Sequence, residues 1–236
     1  SQKRLEELAG RYGLEDEAVG RLARLLLALA EEPDPHTTVA DPDEAVDVHV
    51  ADSLSGLEIE ELRRARWVAD LGAGAGFPGL ALAVALPGAW VDLIESTGRK
   101  ADVIRRLIDA GSIENARAVT ARAEEWAKAP APIGGRGAYE VVTARAVAPI
   151  PVLVEYAAPL LRDGGVLIAW KTSEKAAEEE AGAKAAVEVG LSLEAVVEVK
   201  PWPEARDRRL HVFRKVAPTP ERFPRRAGMA VKRPLG

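Results

Sequence analysis

Trp67-Val68-Ala69-Asp70-Leu71-Gly72-Ala73-Gly74-Ala75-Gly76-Phe77-Pro78-Gly79 is the stretch that decides the fold. A short apolar run ends beside an acid, three glycines follow at alternate positions, and an apolar helical pattern begins at once. Such a run is a buried parallel strand turning sharply into a helix. Glycine suits the turn because it takes positive φ without strain and has no Cβ to block a ligand. The loop therefore predicts a nucleotide-like cofactor. A dinucleotide fingerprint needs glycine at the first, third and sixth places of this turn. Counted from Gly72, the third place is Gly74 but the sixth is Phe77.

Alternate glycines after a strand-end acid, here Asp70 followed by Gly72, Gly74 and Gly76, resemble the loop of Rossmann-like S-adenosylmethionine-dependent methyltransferases. There the loop lies against the amino-acid part of the cofactor. Working outward, strands are expected at 67–71, 90–95, 117–119, 139–144, 164–170, 193–199 and 208–215. Helices are expected between them at about 77–86, 98–111, 122–127, 150–158 and 173–189. This alternation predicts an α/β fold, a doubly wound and mostly parallel seven-stranded sheet. The last two strands leave little room for a helix and should form an antiparallel edge hairpin. Upstream, Leu22, Leu25, Leu26 and Leu29 repeat at helical spacing, and Asp41-Pro42 reads as an N-cap with proline at the first helical position. The expected division is a helical extension over 1–62, a methyltransferase domain over 63–216 and a basic tail over 217–236.

The chain has 236 residues, 47% of them hydrophobic and 29% charged, enough for one substantial core. No apolar run approaches the roughly 20 residues that span a bilayer, so no membrane partner is expected. The first residues lack the apolar stretch of a signal peptide, and with no cysteine present a cytoplasmic location is expected. The absence of cysteine also excludes a thiolate metal site or a cysteine nucleophile, and no metal is expected. The net charge of −5 hides an asymmetry, because residues 200–236 hold 11 Lys and Arg against 3 Asp and Glu. A basic end on an acidic enzyme suits a polyanion, or is simply a solvated tail.

Ligands of open parallel sheets lie beyond the carboxyl ends of the strands. Glu95, followed by Ser96 and Thr97, ends the second strand, where an acid accepts bonds from both ribose hydroxyls. The third strand leads to Ala123 and Glu124, placed to receive the adenine. The fourth ends at Arg145-Ala146-Val147-Ala148, the position that presents the methyl acceptor. Exocyclic-amine methyltransferases have an Asn/Asp-Pro-Pro-aromatic run there, which is missing, and carbon-5 chemistry needs a cysteine. A ring nitrogen such as guanine N7 has its lone pair available and needs no base, so alignment and electrostatics suffice. Arg145 fits as a cation at the reaction centre, or as a structural arginine paired with Asp70 or Glu95.

These residues resemble the bacterial 16S rRNA guanine-N7 methyltransferase G family, also called glucose-inhibited division protein B. The resemblance runs from about residue 33 to the C-terminus. It is carried by His49-Val50-Ala51-Asp52-Ser53-Leu54, Asp70 through Gly79, Arg122-Ala123-Glu124-Glu125, Arg145 through Ala148, Trp170-Lys171 and the ending from Phe223 to Leu235. It implies methyl transfer from S-adenosylmethionine to a guanine N7 in the 16S loop near the decoding centre. By position it implies Gly72, Phe77, Glu95, Ser96, Thr97, Ala123, Glu124 and Arg145 in the cofactor pocket. Arg122, Lys171 and Arg209 match basic positions lining the mouth where RNA enters. The implied partner is 16S rRNA or the small ribosomal subunit, met by a monomer.

Three departures stand out: Pro35-His36-Thr37 where the family has Asn-Leu-Thr, Thr172 after the lysine in place of glycine, and Arg209-Leu210-His211 in place of Arg-His-Leu. The last turns His211 to the other sheet face. His49 reads as an RNA or cofactor contact, or as a helix histidine bonded to Asp52 or to backbone. The five tryptophans read as core, with Trp170 as a possible stacking surface for a flipped base. A small-molecule methyltransferase and a non-catalytic ribosome-assembly factor are the competing functions.

Overall fold

The computed structural model of the chain describes residues 1–172 and 176–236. The described residues form one sheet of seven strands: β1 (Trp67–Leu71), β2 (Trp90–Glu95), β3 (Ala116–Thr120), β4 (Tyr139–Arg145), β5 (Leu161–Thr172), β6 (Leu191–Val199) and β7 (Arg208–Lys215). Their order is β3-β2-β1-β4-β5-β7-β6. The first five strands are parallel, and β7 runs antiparallel to β5 and β6. The edge hairpin expected from the sequence is present, with β7 on its inner side.

Helices α1 (Gln2–Tyr12) and α2 (Asp16–Glu31) precede the sheet. A winding helical segment follows: α3 (Pro42–Ala45), a wide π-type stretch (Val46–Ala51), α4 (Asp52–Leu54), a 3-10 turn (Ser55–Glu58) and α5 (Glu60–Arg64). It starts as expected, with the Asp41 carboxylate accepting from the Asp43 N–H at 2.9 Å. Beyond the first strand come α6 (Gly79–Ala85), α7 (Gly98–Gly111), α8 (Ala123–Trp126), α9 (Ile150–Ala157), α10 (Ala176–Glu188) and α11 (Met229–Lys232). The expected start of α10 at 173–175 lies outside the described residues.

The parallel strands are apolar on both faces, and their period of two feeds two cores. Val68, Leu93, Val141 and Ile168 meet the leucines of α2 and Ile104 and Leu107 of α7. Ala69, Ile94, Val142 and Leu167 meet Ile150, Leu153 and Val154 of α9. Trp67 departs from the expected core tryptophans: it begins β1 with 52% of its surface exposed. Among the described residues no helix is long and apolar enough to cross a membrane.

The basic tail is docked rather than solvated. Phe223 is buried in the second core, and Arg225 grips buried Glu155 through Nε at 2.7 Å and Nη2 at 2.5 Å. Strand order reverses between β1 and β4, which opens a crevice beyond their carboxyl ends. The glycine turn and Arg145 flank that crevice.

Phe223→Ala should cost about 3 kcal/mol of unfolding free energy in urea, as for other buried phenylalanines. A tail that only brushes the surface would show no measurable loss.

Candidate active site and cofactor cavity

The turn after β1 is held from beneath by Asp70. This residue is wholly buried, its Oδ2 accepts from the Gly79 N–H at 2.9 Å, and its Oδ1 accepts from the Thr143 hydroxyl at 2.9 Å. One carboxylate thus ties β1, the start of α6 and β4 together. Burial pushes it up to about 6, against the opposing pull of Thr143, Gly79 and the Arg145 charge. Asp70 was expected to contact cofactor; it is wholly covered by protein and fixes the turn. Gly76 likewise faces inward, where a Cβ would lie 2.3 Å from Leu80.

Gly74 is different. Its φ is +55°, and an added Cβ meets no protein atom closer than the Gly72 carbonyl at 3.7 Å, so it points into a cavity of about 490 Å3. Its N–H donates to Glu95 Oε2 at 3.0 Å, while the Thr97 N–H donates to Oε1 at 2.8 Å. Glu95 therefore holds the first two strand ends together and still offers lone pairs to the cavity. Gly72, Phe77, Ser96, Thr97 and Arg145, all named from the sequence, also line this space, together with Lys100, which the sequence reading had not marked.

A second cavity of about 120 Å3 adjoins it, sharing Gly72, Ser96 and Val147. Its other walls include Ile94, Ala123, Glu124 and Tyr156. Glu124 is buried, accepts from the Gly228 N–H of the tail at 2.9 Å, and lies beside the Tyr156 phenol. Burial and the charges of Glu124 and Glu155 push that phenol up to about 12. Arg122 lines this cavity, away from Lys171 and Arg209.

Those two cations line a third cavity of about 200 Å3, with Asp52, Trp170 and Arg208. Arg145 and Ala146 belong to both this cavity and the largest one. The pairing of Arg145 is neither of those expected. Its Nη1 donates to Asp52 Oδ2 at 2.9 Å and to the Val48 carbonyl at 3.2 Å, so the winding helical segment holds it, while Asp70 and Glu95 are occupied by backbone amides. Ala146 takes a φ of +55°, a left-handed turn that side chains rarely adopt, right after it.

His49 bonds backbone, as one of its two readings required. Its Nε2 donates to the Val39 carbonyl at 2.8 Å, which leaves Nδ1, 3.4 Å from Arg145 Nη2, as an acceptor. The ring stacks on Phe77 at 4.9 Å, and burial with the Arg145 charge lowers its pKa, keeping it neutral. Lys171 donates to the Ala148 carbonyl at 3.2 Å and to Glu178 at 3.1 Å. Arg209 lies 4.0 Å from Glu179 and 3.7 Å from Glu198.

Trp170 is not available for stacking. Its indole N–H donates to the Asp52 carbonyl at 2.8 Å, and its ring fills the space where a Gly56 Cβ would be. His211 is fully buried 3.0 Å from Glu179, on the face opposite Leu210 as alternation demands. The approach of Arg208 to Asp52 went unmarked because no local spacing signals a contact between residues 156 positions apart. No three of the described His, Asp and Glu side chains converge as metal ligands.

Residues 20–206 match the family model described as rRNA small subunit methyltransferase G. Ribosomal RNA small subunit methyltransferase G of Rubrobacter xylanophilus is 44% identical over 198 residues, covering 83% of this chain and 75% of that protein. Its counterpart from Symbiobacterium thermophilum is 39% identical over 242 residues, covering 98% and 96%. Among solved structures, Aeropyrum pernix fibrillarin with natively bound S-adenosyl-L-methionine aligns with a TM-score of 0.53 at 17% identity, over 69% of this chain and 72% of that one. The Methanococcus jannaschii fibrillarin pre-rRNA processing protein gives 0.54 at 18%, over 78% and 76%. At such identities the likeness is one of fold.

Gly74→Asp should abolish S-adenosylmethionine binding in a calorimetric titration by filling the largest cavity, with little global unfolding. Unchanged affinity would put the cofactor elsewhere. Asp70 supplies a pH test. Its pKa is raised from 3.8, so its stabilising contribution is complete below about pH 3.8 and lost as pH rises through about 6. Asp70→Asn, which does not ionise, should therefore gain on the wild type by roughly 1–3 kcal/mol between pH 4 and pH 7. Urea melts at the two pH values that show a constant difference would contradict this.

Proposed function

The chain belongs to the rRNA small subunit methyltransferase G family, and from that premise we propose that it methylates N7 of one guanine in the 16S loop near the decoding centre, with S-adenosylmethionine as donor. The observation that carries the reading is the pair of cavities joined at Arg145. One has the room and polar groups that suit the cofactor, and the other is smaller and lined by Arg145, Lys171, Arg208 and Arg209.

The residues present fit the cofactor. Gly74 leaves room for its amino-acid part, and the spare lone pairs of Glu95 suit the ribose hydroxyls. The smaller cavity between Ile94, Ala123 and Val147 suits a flat adenine, with Glu124 at its edge. When bound, S-adenosylmethionine supplies an electrophilic methyl group on a sulfonium. The protein need not remove a proton, because guanine N7 carries its own lone pair. Its task is to orient the base and exclude water, with Arg145 fixed by Asp52 and Val48 at the junction. Lys171 and Arg209 on the outer cavity, and Arg122 nearer the adenine, are placed to meet phosphates. We assign the reaction to the cytoplasm and to a monomer acting on 16S rRNA or the small subunit.

Incubation with tritiated S-adenosylmethionine and small subunits lacking the modification should place label in 16S RNA, recovered as 7-methylguanosine on nucleoside analysis. Label in another nucleoside would refute the N7 assignment. Absence of transfer to free RNA and subunits alike would refute the activity.

A further inference from the structure

The wall of the outer cavity contains buried polar atoms that lack hydrogen bonds. Asp52 is 2% exposed and gives Oδ2 to Arg145, yet its Oδ1 has no hydrogen-bond partner among the described residues. Arg208 Nε, which also lacks a hydrogen bond, faces that oxygen as an ion pair at 3.7 Å, too long for a hydrogen bond. The Arg208 guanidinium is held over the Trp202 ring at 5.2 Å. Buried polar atoms are nearly always paired, and an unpaired one costs about 1–3 kcal/mol. Asp52 Oδ1 is thus an acceptor short of a hydrogen bond, covered by Arg208 in the wall of a cavity of about 200 Å3 that meets the cofactor cavity at Arg145 and Ala146.

We propose that this cavity is the target-base subsite and that Asp52 Oδ1 accepts the N1–H of the guanine being methylated. The inference deepens the N7 reading and rests on it. Around the edge of guanine, N7 is followed by O6 and then by N1–H. With N7 turned toward the cofactor cavity, O6 reaches the shared wall, where Arg145 has N–H groups beyond those given to Asp52 and Val48. N1–H then reaches Asp52 Oδ1 as the Arg208 side chain, 3.7 Å from that oxygen, moves aside. Adenine in the same pose sets an amino group against Arg145 and a lone pair against Asp52, two like-for-like mismatches.

The same bond acts on rate. As the N7 lone pair forms the new N–C bond, the C–S electron pair departs with sulfur, no proton moves, and the positive charge passes to the base. The N1–H becomes a stronger donor as that charge grows. The bond to a carboxylate therefore tightens toward the transition state, an effect on kcat more than on KM.

The test uses the full chain and small subunits reconstituted with guanine, inosine or 2-aminopurine at the target position. Inosine keeps N7, O6 and N1–H, and wild-type kcat/KM on it should stay within about tenfold of guanine, because each contact named here is retained. 2-Aminopurine keeps N7 but lacks O6 and N1–H, and should fall about 1000-fold or more. Asp52→Asn should lower kcat on guanine about 100-fold, with KM nearly unchanged, and should collapse the preference over 2-aminopurine. Normal S-adenosylmethionine affinity in a calorimetric titration shows that this variant is folded; if it is not, the wild-type analogue series decides alone. Equal methylation of guanine and 2-aminopurine by the wild type would overturn the proposal. So would an Asp52→Asn enzyme that binds cofactor and keeps wild-type kcat and preference. A wild type that makes 7-methylguanosine but fails these tests loses only the subsite; one that modifies none of the three bases loses the N7 reading as well.

Discussion

The Asp70 carboxylate, sealed beneath the glycine turn, joins three parts of the fold that must agree for a cavity to exist. It takes the Gly79 N–H at the start of α6 and the Thr143 hydroxyl of β4 while standing on β1. Burying an acid costs free energy unless donors surround it, and here they come from the two elements that flank the reversal of strand order. The turn is thereby pinned at both ends. Glu95 repeats the device one strand over, taking amides of Gly74 and Thr97. With backbone donors locked onto two acids, the loop between them is left as glycine surface facing the crevice.

Arg145 is the corresponding fixed point on the other side. It reaches back to a segment nearly a hundred residues earlier, where Asp52 and the Val48 carbonyl hold it and neutral His49 backs it. The π-type widening at Val46–Ala51 belongs to the segment that offers these groups to one guanidinium. Trp170 braces the same segment through the Asp52 carbonyl. The N-terminal helices therefore do more than cover the sheet, since the wall shared by two cavities depends on them. The tail contributes at the opposite end, where the Gly228 N–H steadies Glu124.

What could be read in the sequence follows the range of the interactions. Strands buried on both faces announce themselves as apolar runs, and a loop that binds through backbone announces itself as glycine. Glu95, Ala123 and Glu124 were legible because strand ends on one edge of a parallel sheet converge by topology. Their partners were not. The Arg145 pairing with Asp52, the Asp52 ion pair with Arg208 and the Arg225 grip on Glu155 all join distant segments with no periodic mark. Trp170 misled for the same reason: its neighbour Lys171 suggested an RNA surface, while its ring fits against Gly56. Charge counts could not show that the tail docks, because they register Arg225 and pass over the burial of Phe223.

The central claim is that the cofactor cavity and the base subsite meet at Arg145. A crystal structure of the protein with S-adenosylhomocysteine tests it most directly. The account predicts adenine between Ile94, Ala123 and Val147, ribose hydroxyls on Glu95, and the sulfur turned toward Arg145 and the Asp52 cavity. Adenine bound elsewhere, or a sulfur facing away from Arg145, would contradict it.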